Sequence, residues 1–266
     1  MPLPHFLRSA LALLLLLALG PVHADALDTI LERGTIRVGV AEFVPWTLKN
    51  KDDELMGFEI DVANKVASDM GVAADFTVYV WEDIIPALQK GEIDMIAGGM
   101  AITPARALQL NFSRPLAKSG IGLATHTKKT ADIQSLKELN NPDIMITTVK
   151  DTFAANTATV MFPNADIKIF ADRGAAEAAI LDGRAHAYLA SLPEVQFLAL
   201  RNNDVVDLPM TEPLVANSEA LAVKKGEQQL LNFLNAWVTA RKTDKWLAMT
   251  RDYWFTTLDW VEDAGT

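Results

Sequence analysis

From Thr35 onward the chain alternates short apolar strands with stretches of helical periodicity, and that alternation most narrows the folds open to it. Thr35 to Val40 reads as a strand, and Phe58 to Met70 carries Ile60, Ala63, Val66, Ala67 and Met70 at helical spacing before Gly71. Ala74 to Val80 reads as a second strand, Asp83 to Gln89 as a short helix closed by Gly91, and Ile93 to Ala97 as a third strand. Strands linked by helices need crossover connections, so the expected product is a parallel sheet covered by helices.

Beyond Pro115, Gly120-Ile121-Gly122-Leu123-Ala124 is an extended apolar segment suited to leave this first unit, and the pattern then restarts. Strands at Ile144 to Val149, Ile167 to Phe170 and His186 to Ala190 alternate with helices at Thr152 to Met161 and Gly174 to Leu181, and another helix opens at Leu192-Pro193. Glu219 to Val223 is the strand expected to return to the first unit, followed by the amphipathic Gln228 to Ala240 and by Lys245 to Trp254. The aromatic residues Trp246, Tyr253, Trp254, Phe255 and Trp260 have helical spacing and acidic neighbours, which predicts packing onto the first unit rather than onto a membrane. Residues 25–118 and 216–266 are therefore expected to make one lobe and 119–215 the other. Two chain crossings between lobes make a hinge.

The N-terminus gives an address. Arg8 precedes an unbroken apolar run from Ala10 to Leu19, and Val22-His23-Ala24 presents small residues where a signal peptidase reads, so cleavage before Asp25 is expected. The run is too short to span a bilayer. The chain has no cysteine, which removes both a lipoprotein anchor and any disulfide. The expected product is a soluble periplasmic protein. With 24 basic and 34 acidic residues the net charge is −10, and loss of Arg8 makes it −10 − 1 = −11, which argues against nucleic acid or an anionic membrane as partner. Outside the leader the only histidines are His126 and His186, without a partner at ligand spacing, so no metal or other cofactor is expected. No nucleophile elbow or phosphate loop occurs.

Arg106 is the residue whose setting points to chemistry. It lies in Ile102-Thr103-Pro104-Ala105-Arg106, just after the strand that ends at Gly98-Gly99. In open α/β sheets ligands bind beyond the carboxyl ends of the strands, and a planar guanidinium grips a carboxylate with two parallel bonds that lysine cannot reproduce.

Gly57-Phe58-Glu59-Ile60-Asp61-Val62-Ala63, the Thr-x-x-Arg ending at Arg106 and the downstream Asn111-Phe112-Ser113 together resemble the polar amino-acid-binding family of bacterial periplasmic solute-binding proteins. The resemblance runs from Gly34 to the aromatic C-terminal helix and implies a type II periplasmic-binding-protein fold of class α/β. In that fold two parallel-sheet lobes are joined by a two-strand hinge. It further implies a monomer that hands a small carboxylate-bearing solute to an ABC permease in the inner membrane.

Carried over position by position, the resemblance puts Phe43 and Trp81 on opposite sides of the ligand, Trp46 in the core, and Gly98, Gly99 and Ala101 in the loop beside Arg106. Thr152 and Phe153 open a second-lobe helix whose N-terminal amides suit an anion, with the Thr152 hydroxyl as an added donor. Asp151, where relatives more often carry glycine, is expected to cap that helix. Relatives hold an amino acid's ammonium with an aspartate and a hydroxyl, where this chain has Ser191 and Ala101. A buried ammonium without its carboxylate costs about 3–5 kcal/mol, so an α-amino group is disfavoured unless Glu42 or Glu194 replaces the aspartate.

Glu194 also opens an enzymatic alternative, because this chain resembles the family's prephenate and arogenate dehydratases in Trp81, Arg106 and a glutamate at this place. There it would be the general acid. The lysine those enzymes carry after the Phe-Ser is replaced by Ile121, with Lys118 nearby but out of register, so binding without catalysis is the primary expectation.

Overall fold

The computed structural model describes residues 25–257 and 259–264; the expected leader, 1–24, lies outside them. The strands run β1 (Thr35–Val40), β2 (Leu48–Lys49), β3 (Leu55–Met56), β4 (Ala73–Val78), β5 (Met95–Ile96), β6 (Leu110–Phe112) and β7 (Ala117–His126). There follow β8 (Met145–Val149), β9 (Asp166–Phe170), β10 (Ala187–Ser191), β11 (Val206–Asp207), β12 (Val215–Glu219) and β13 (Ala222–Lys224).

Two sheets result. The first has the order β4-β1-β5-β13-β6 and the second β11-β7-β10-β8-β9, with β12 also paired to β7. Both are mixed, which corrects the expectation of purely parallel lobes. β1 runs parallel to β4 and β5, and β8 parallel to β9 and β10, as crossover helices demand. β13 enters from the hinge in the reverse sense and pairs antiparallel with β5 and β6, and β7 does the same beside β10.

Each sheet is buried on both faces, which is why its inner strands read as continuous apolar runs. On one side of the first sheet Val38, Met95, Phe58, Val62 and Val66 pack with Trp46, Trp254 and Trp260, and of the other C-terminal aromatics Trp246 and Phe255 pack against this core while Tyr253 is exposed. On the other side Ile84 and Leu88 cover Ile93, Ile96 and Met100. The second sheet is sandwiched likewise, with Tyr188 and Ile180 on one face and Leu123, Ile146, Leu189 and Phe162 on the other. The helix Phe58–Met70 stops at Gly71, whose φ of 79° is left-handed backbone that an L side chain resists.

The crossings differ in detail from the sequence reading. β7 is ten residues long and pairs antiparallel with β12 over Val215↔Ile121 to Glu219↔Ala117. The second crossing is therefore Val215–Glu219, and Glu219 ends it instead of beginning the next strand. The helix read from Asp83 starts two residues earlier, at Trp81. Its span is Trp81–Lys90, and β4 ends before it at Val78.

Candidate ligand-binding site

A cleft of about 320 Å³ lies between the lobes, large enough for a small solute. Arg106 stands in its wall on the short helix Pro104–Ala107. Thr103 caps that turn by accepting the Arg106 N–H at 3.2 Å, and Pro104 presets its first residue, so the local sequence itself aims the arginine. The side chain is buried at 8 % exposure. Its Nη1 donates to the Ala101 carbonyl at 2.9 Å and its Nη2 to the Asp151 carbonyl at 2.8 Å. These bonds leave most of the guanidinium's N–H donors for a ligand. Burial pulls its pKa down to about 10, with Asp151 acting in the opposite sense, so it is cationic at neutral pH.

Trp81 lies against the same guanidinium, whose carbon is 5.5 Å from the ring centroid, within cation–π range. Its Nε1 donates to the Asp151 carbonyl at 3.1 Å. Next to it Lys150 pairs with Glu82 at 2.5 Å. Asp151 and Lys150 belong to the second lobe, so these contacts hold the lobes closed.

Asp151 does not cap the following helix, contrary to the sequence reading. It sits in left-handed backbone at φ 59°, which turns its carbonyl toward the first lobe, and the cap is Thr152. The Thr152 hydroxyl accepts the Ala155 N–H at 3.0 Å and donates to the Val149 carbonyl at 2.6 Å, so it is not the spare donor expected. Phe153 and Ala154 line the cleft at the positive end of the helix Phe153–Met161.

Phe43 and Trp81 both line the cleft, but the ring stacked on Phe43 is Trp46, at 4.3 Å and 9°. Trp46 is fully buried, as expected. Gly99 (φ 61°) also lines the cleft and lets the chain pass over Trp46, where an added Cβ would stand 2.8 Å from the indole nitrogen. Gly98 is not a lining residue. It backs the Trp81 ring, 3.6 Å from where its Cβ would be. Ala101, Ser191 and Glu42 line the cleft, Glu42 being exposed.

Glu194 reaches the cleft from the helix Leu192–Arg201 and is 5 % exposed. Tyr188 donates to it at 2.5 Å and Ser191 at 3.4 Å. Burial pushes its pKa up to about 7, against the opposing pull of Arg173.

Sequence reasoning missed Arg173, Thr148, Asn217 and Glu219, all of which line the cleft. Arg173 opens the helix Arg173–Leu181 just beyond β9. Burial works against its charge, and the carboxyls of Glu194 and Glu177 more than offset this, so its pKa lies above the ordinary value. Its position past a parallel strand's carboxyl end was the available signal.

At and beneath the cleft floor lie two buried carboxyls and an arginine. Glu59 Oε1 accepts the Gly99 N–H at 3.0 Å, and Glu219 Oε2 accepts Trp46 Nε1 at 3.0 Å. Arg251 supplies positive charge to both, donates to the Lys118 carbonyl at 3.0 Å, and lies 4.3 Å from the Phe255 ring centroid. Burial raises Glu59 to about 8 and Glu219 to about 7.

Two mixed α/β lobes closing over a cleft on a two-strand hinge define a bilobal receptor for small solutes. The chain belongs to the bacterial extracellular solute-binding proteins, family 3, whose family model matches residues 36–257. It is 28% identical over 265 residues to the "Probable amino-acid ABC transporter periplasmic-binding protein y4tE" of Sinorhizobium fredii, covering 95% of this chain and 88% of that one. Among solved structures, the ancestral amino acid-binding protein AncCDT-1, a precursor of cyclohexadienyl dehydratase, matches with a TM-score of 0.79 and 31% identity, over 88% of this chain and 100% of that one. An ancestral arginine-binding protein bound to arginine matches with a TM-score of 0.77 and 28% identity, over 84% and 99% of the respective chains. Among the described residues no helix is long and apolar enough to cross a membrane.

Proposed function

We propose that the protein captures a small carboxylate-bearing solute, an amino acid or related organic acid, and delivers it as a monomer to an ABC permease of the inner membrane. Arg106 carries this reading: a buried guanidinium with most donors unspent, beside the N-terminus of the helix Phe153–Met161, suits a carboxylate. Removal of residues 1–24 as a leader fits the same assignment, as do lobe limits at 25–118 with 216–266 and at 119–215. Titration calorimetry of the mature protein against amino acids, 2-keto acids and aromatic carboxylates tests it. Failure of every carboxylate to bind would sink the proposal.

A dehydratase is the second reading, favoured by Glu194, a buried acid of pKa about 7 held by Tyr188. The cation that such catalysis needs has no counterpart at Ile121, which is buried and apolar, and Lys118 is exposed. One acid without a cation at that place supplies only part of the required stabilisation, although Arg173 stands near Glu194 in the same cleft. The protein should therefore form no phenylpyruvate or phenylalanine from prephenate or arogenate beyond the spontaneous rate. Turnover abolished by Glu194→Gln would establish the enzyme instead.

A further inference from the structure

The two chain stretches that meet at Arg106 line the cleft with apolar side chains. In the first lobe β1 and β4 run parallel with Val40 opposite Val78, so Phe43 and the run Val78, Val80 and Trp81 stand at the carboxyl ends of adjacent strands. The guanidinium carbon of Arg106, 5.5 Å from the Trp81 ring centroid, ties that wall to the anchor. Consecutive Cα atoms are about 3.8 Å apart, so Val80 adjoins Trp81 and Val78 lies at most about 11 Å from it. In the second lobe the Asp151 carbonyl accepts from both Trp81 and Arg106, and the cleft-lining Phe153 follows two residues later. The polar groups of these stretches are committed elsewhere. Tyr79 packs against the core of Ile84 and Leu88, the Thr152 hydroxyl serves Val149 and Ala155, and Lys150, which does not line the cleft, pairs with Glu82 at 2.5 Å. Val78 and Val80 are nonetheless 43 % and 52 % exposed. An apolar wall left open beside a buried guanidinium suits a ligand with one charged and one apolar end.

We propose that the solute joins its carboxylate to a bulky apolar group, branched aliphatic or aromatic, and that Val78, Val80 and Phe153 select for that group. This rests on the assignment of Arg106 as the carboxylate anchor and names the other end of the same solute. With the carboxylate on Arg106, the rest of the molecule starts beside Trp81, where the valines of one lobe and Phe153 of the other flank it. Each apolar carbon that covers them leaves water together with the wall it covers. A side-chain carboxylate or ammonium turned to the same wall would lose its hydration without gaining a partner. The charges elsewhere in the cleft serve one another, Glu194 and Glu177 both acting on Arg173.

The test is titration calorimetry of the mature protein at one pH with two ladders of growing side chain. One is pyruvate, 2-oxobutyrate, 4-methyl-2-oxopentanoate and phenylpyruvate, the other alanine, leucine and phenylalanine, with 2-oxoglutarate, glutamate and lysine as charged probes. Each buried methylene should tighten binding roughly three- to fourfold, so the bulky members of whichever ladder binds should exceed the smallest by about tenfold or more. Val78→Thr combined with Val80→Ser should lower that ratio severalfold. Threonine keeps the branched shape of a strand residue, and serine suits Val80, which precedes the helix Trp81–Lys90 without a side-chain cap, so the fold is kept. Phe153→Leu should lower the preference for phenylpyruvate over 4-methyl-2-oxopentanoate, or for phenylalanine over leucine. Equal affinity along both ladders, tighter binding of a charged probe than of the bulky apolar members, or ratios unaltered in both variants would overturn this proposal while leaving the carboxylate reading intact. Binding of no carboxylate at all would overturn both.

Discussion

Arg106 and Asp151 meet across the cleft, the Arg106 Nη2 donating at 2.8 Å to the Asp151 carbonyl, which also accepts Trp81 Nε1 at 3.1 Å. One guanidinium thus links the lobes, and in the proposed function it also holds the ligand carboxylate. Arg106→Lys keeps the charge and loses the planar fork, so affinity for a carboxylate should fall by roughly 1.5–3 kcal/mol. Calorimetry that shows unchanged affinity would remove Arg106 from the binding role.

Because these bonds run to a backbone carbonyl, the Asp151 side chain is dispensable for closure. Its carboxylate raises the pKa of Arg106 and would repel a ligand anion. Asp151→Gly fits the left-handed backbone at φ 59° without a Cβ. This variant should bind a carboxylate with equal or up to about threefold higher affinity. A tenfold loss would show that the carboxylate itself takes part in recognition.

Discrimination at the α-position should depend on pH through Glu194. Its raised pKa of about 7 keeps much of it protonated at pH 6, and Ser191 supplies no charge to replace it. A 2-keto acid should therefore bind more tightly than its amino acid at pH 6. As Glu194 ionises, an ammonium gains a partner, and the amino-to-keto affinity ratio should rise severalfold by pH 8. Glu194→Gln should give a ratio that no longer varies with pH; an equally steep ratio in that variant would assign the effect to another group.

The buried carboxyls under the cleft set the sign of a stability change. Glu59 and Glu219 titrate near 8 and 7 in the folded protein, well above the ordinary 4.5, so the folded state retains protons that the unfolded chain has released. Their stabilising contribution is complete below the unfolded value and is lost as pH climbs through 7 to 8. The melting temperature should fall between pH 6 and 8.5, and Glu59→Gln, which keeps an acceptor for the Gly99 amide, should flatten the fall. An unaltered slope in Glu59→Gln would refute this origin.

The parts of this structure that local sequence governs were legible in it. The helical spacing of Phe58 to Met70, the capped turn that presents Arg106, and the apolar inner strands follow from patterns a few residues long. The mixed sheets were not, because the direction in which β13 meets β5 depends on how the chain returns through the hinge. Arg173 reads as an ordinary exposed helix start, and Thr148 as one more strand residue. Only the tertiary fold brings both to the cleft. Asp151 misled for a related reason: its neighbour Thr152 was an equally good cap, and the choice fell to backbone geometry.

Arg251 lies in the C-terminal helix Trp246–Asp252 yet donates to the carbonyl of Lys118, the second residue of β7. The end of the polypeptide is thereby clamped to the root of the moving joint. A fluorophore attached just behind Trp260 would travel with the first lobe, and one at the exposed Val160 with the second. Energy transfer between the two would read hinge angle directly, which makes this chain a ready frame for a genetically portable sensor of whatever solute it takes.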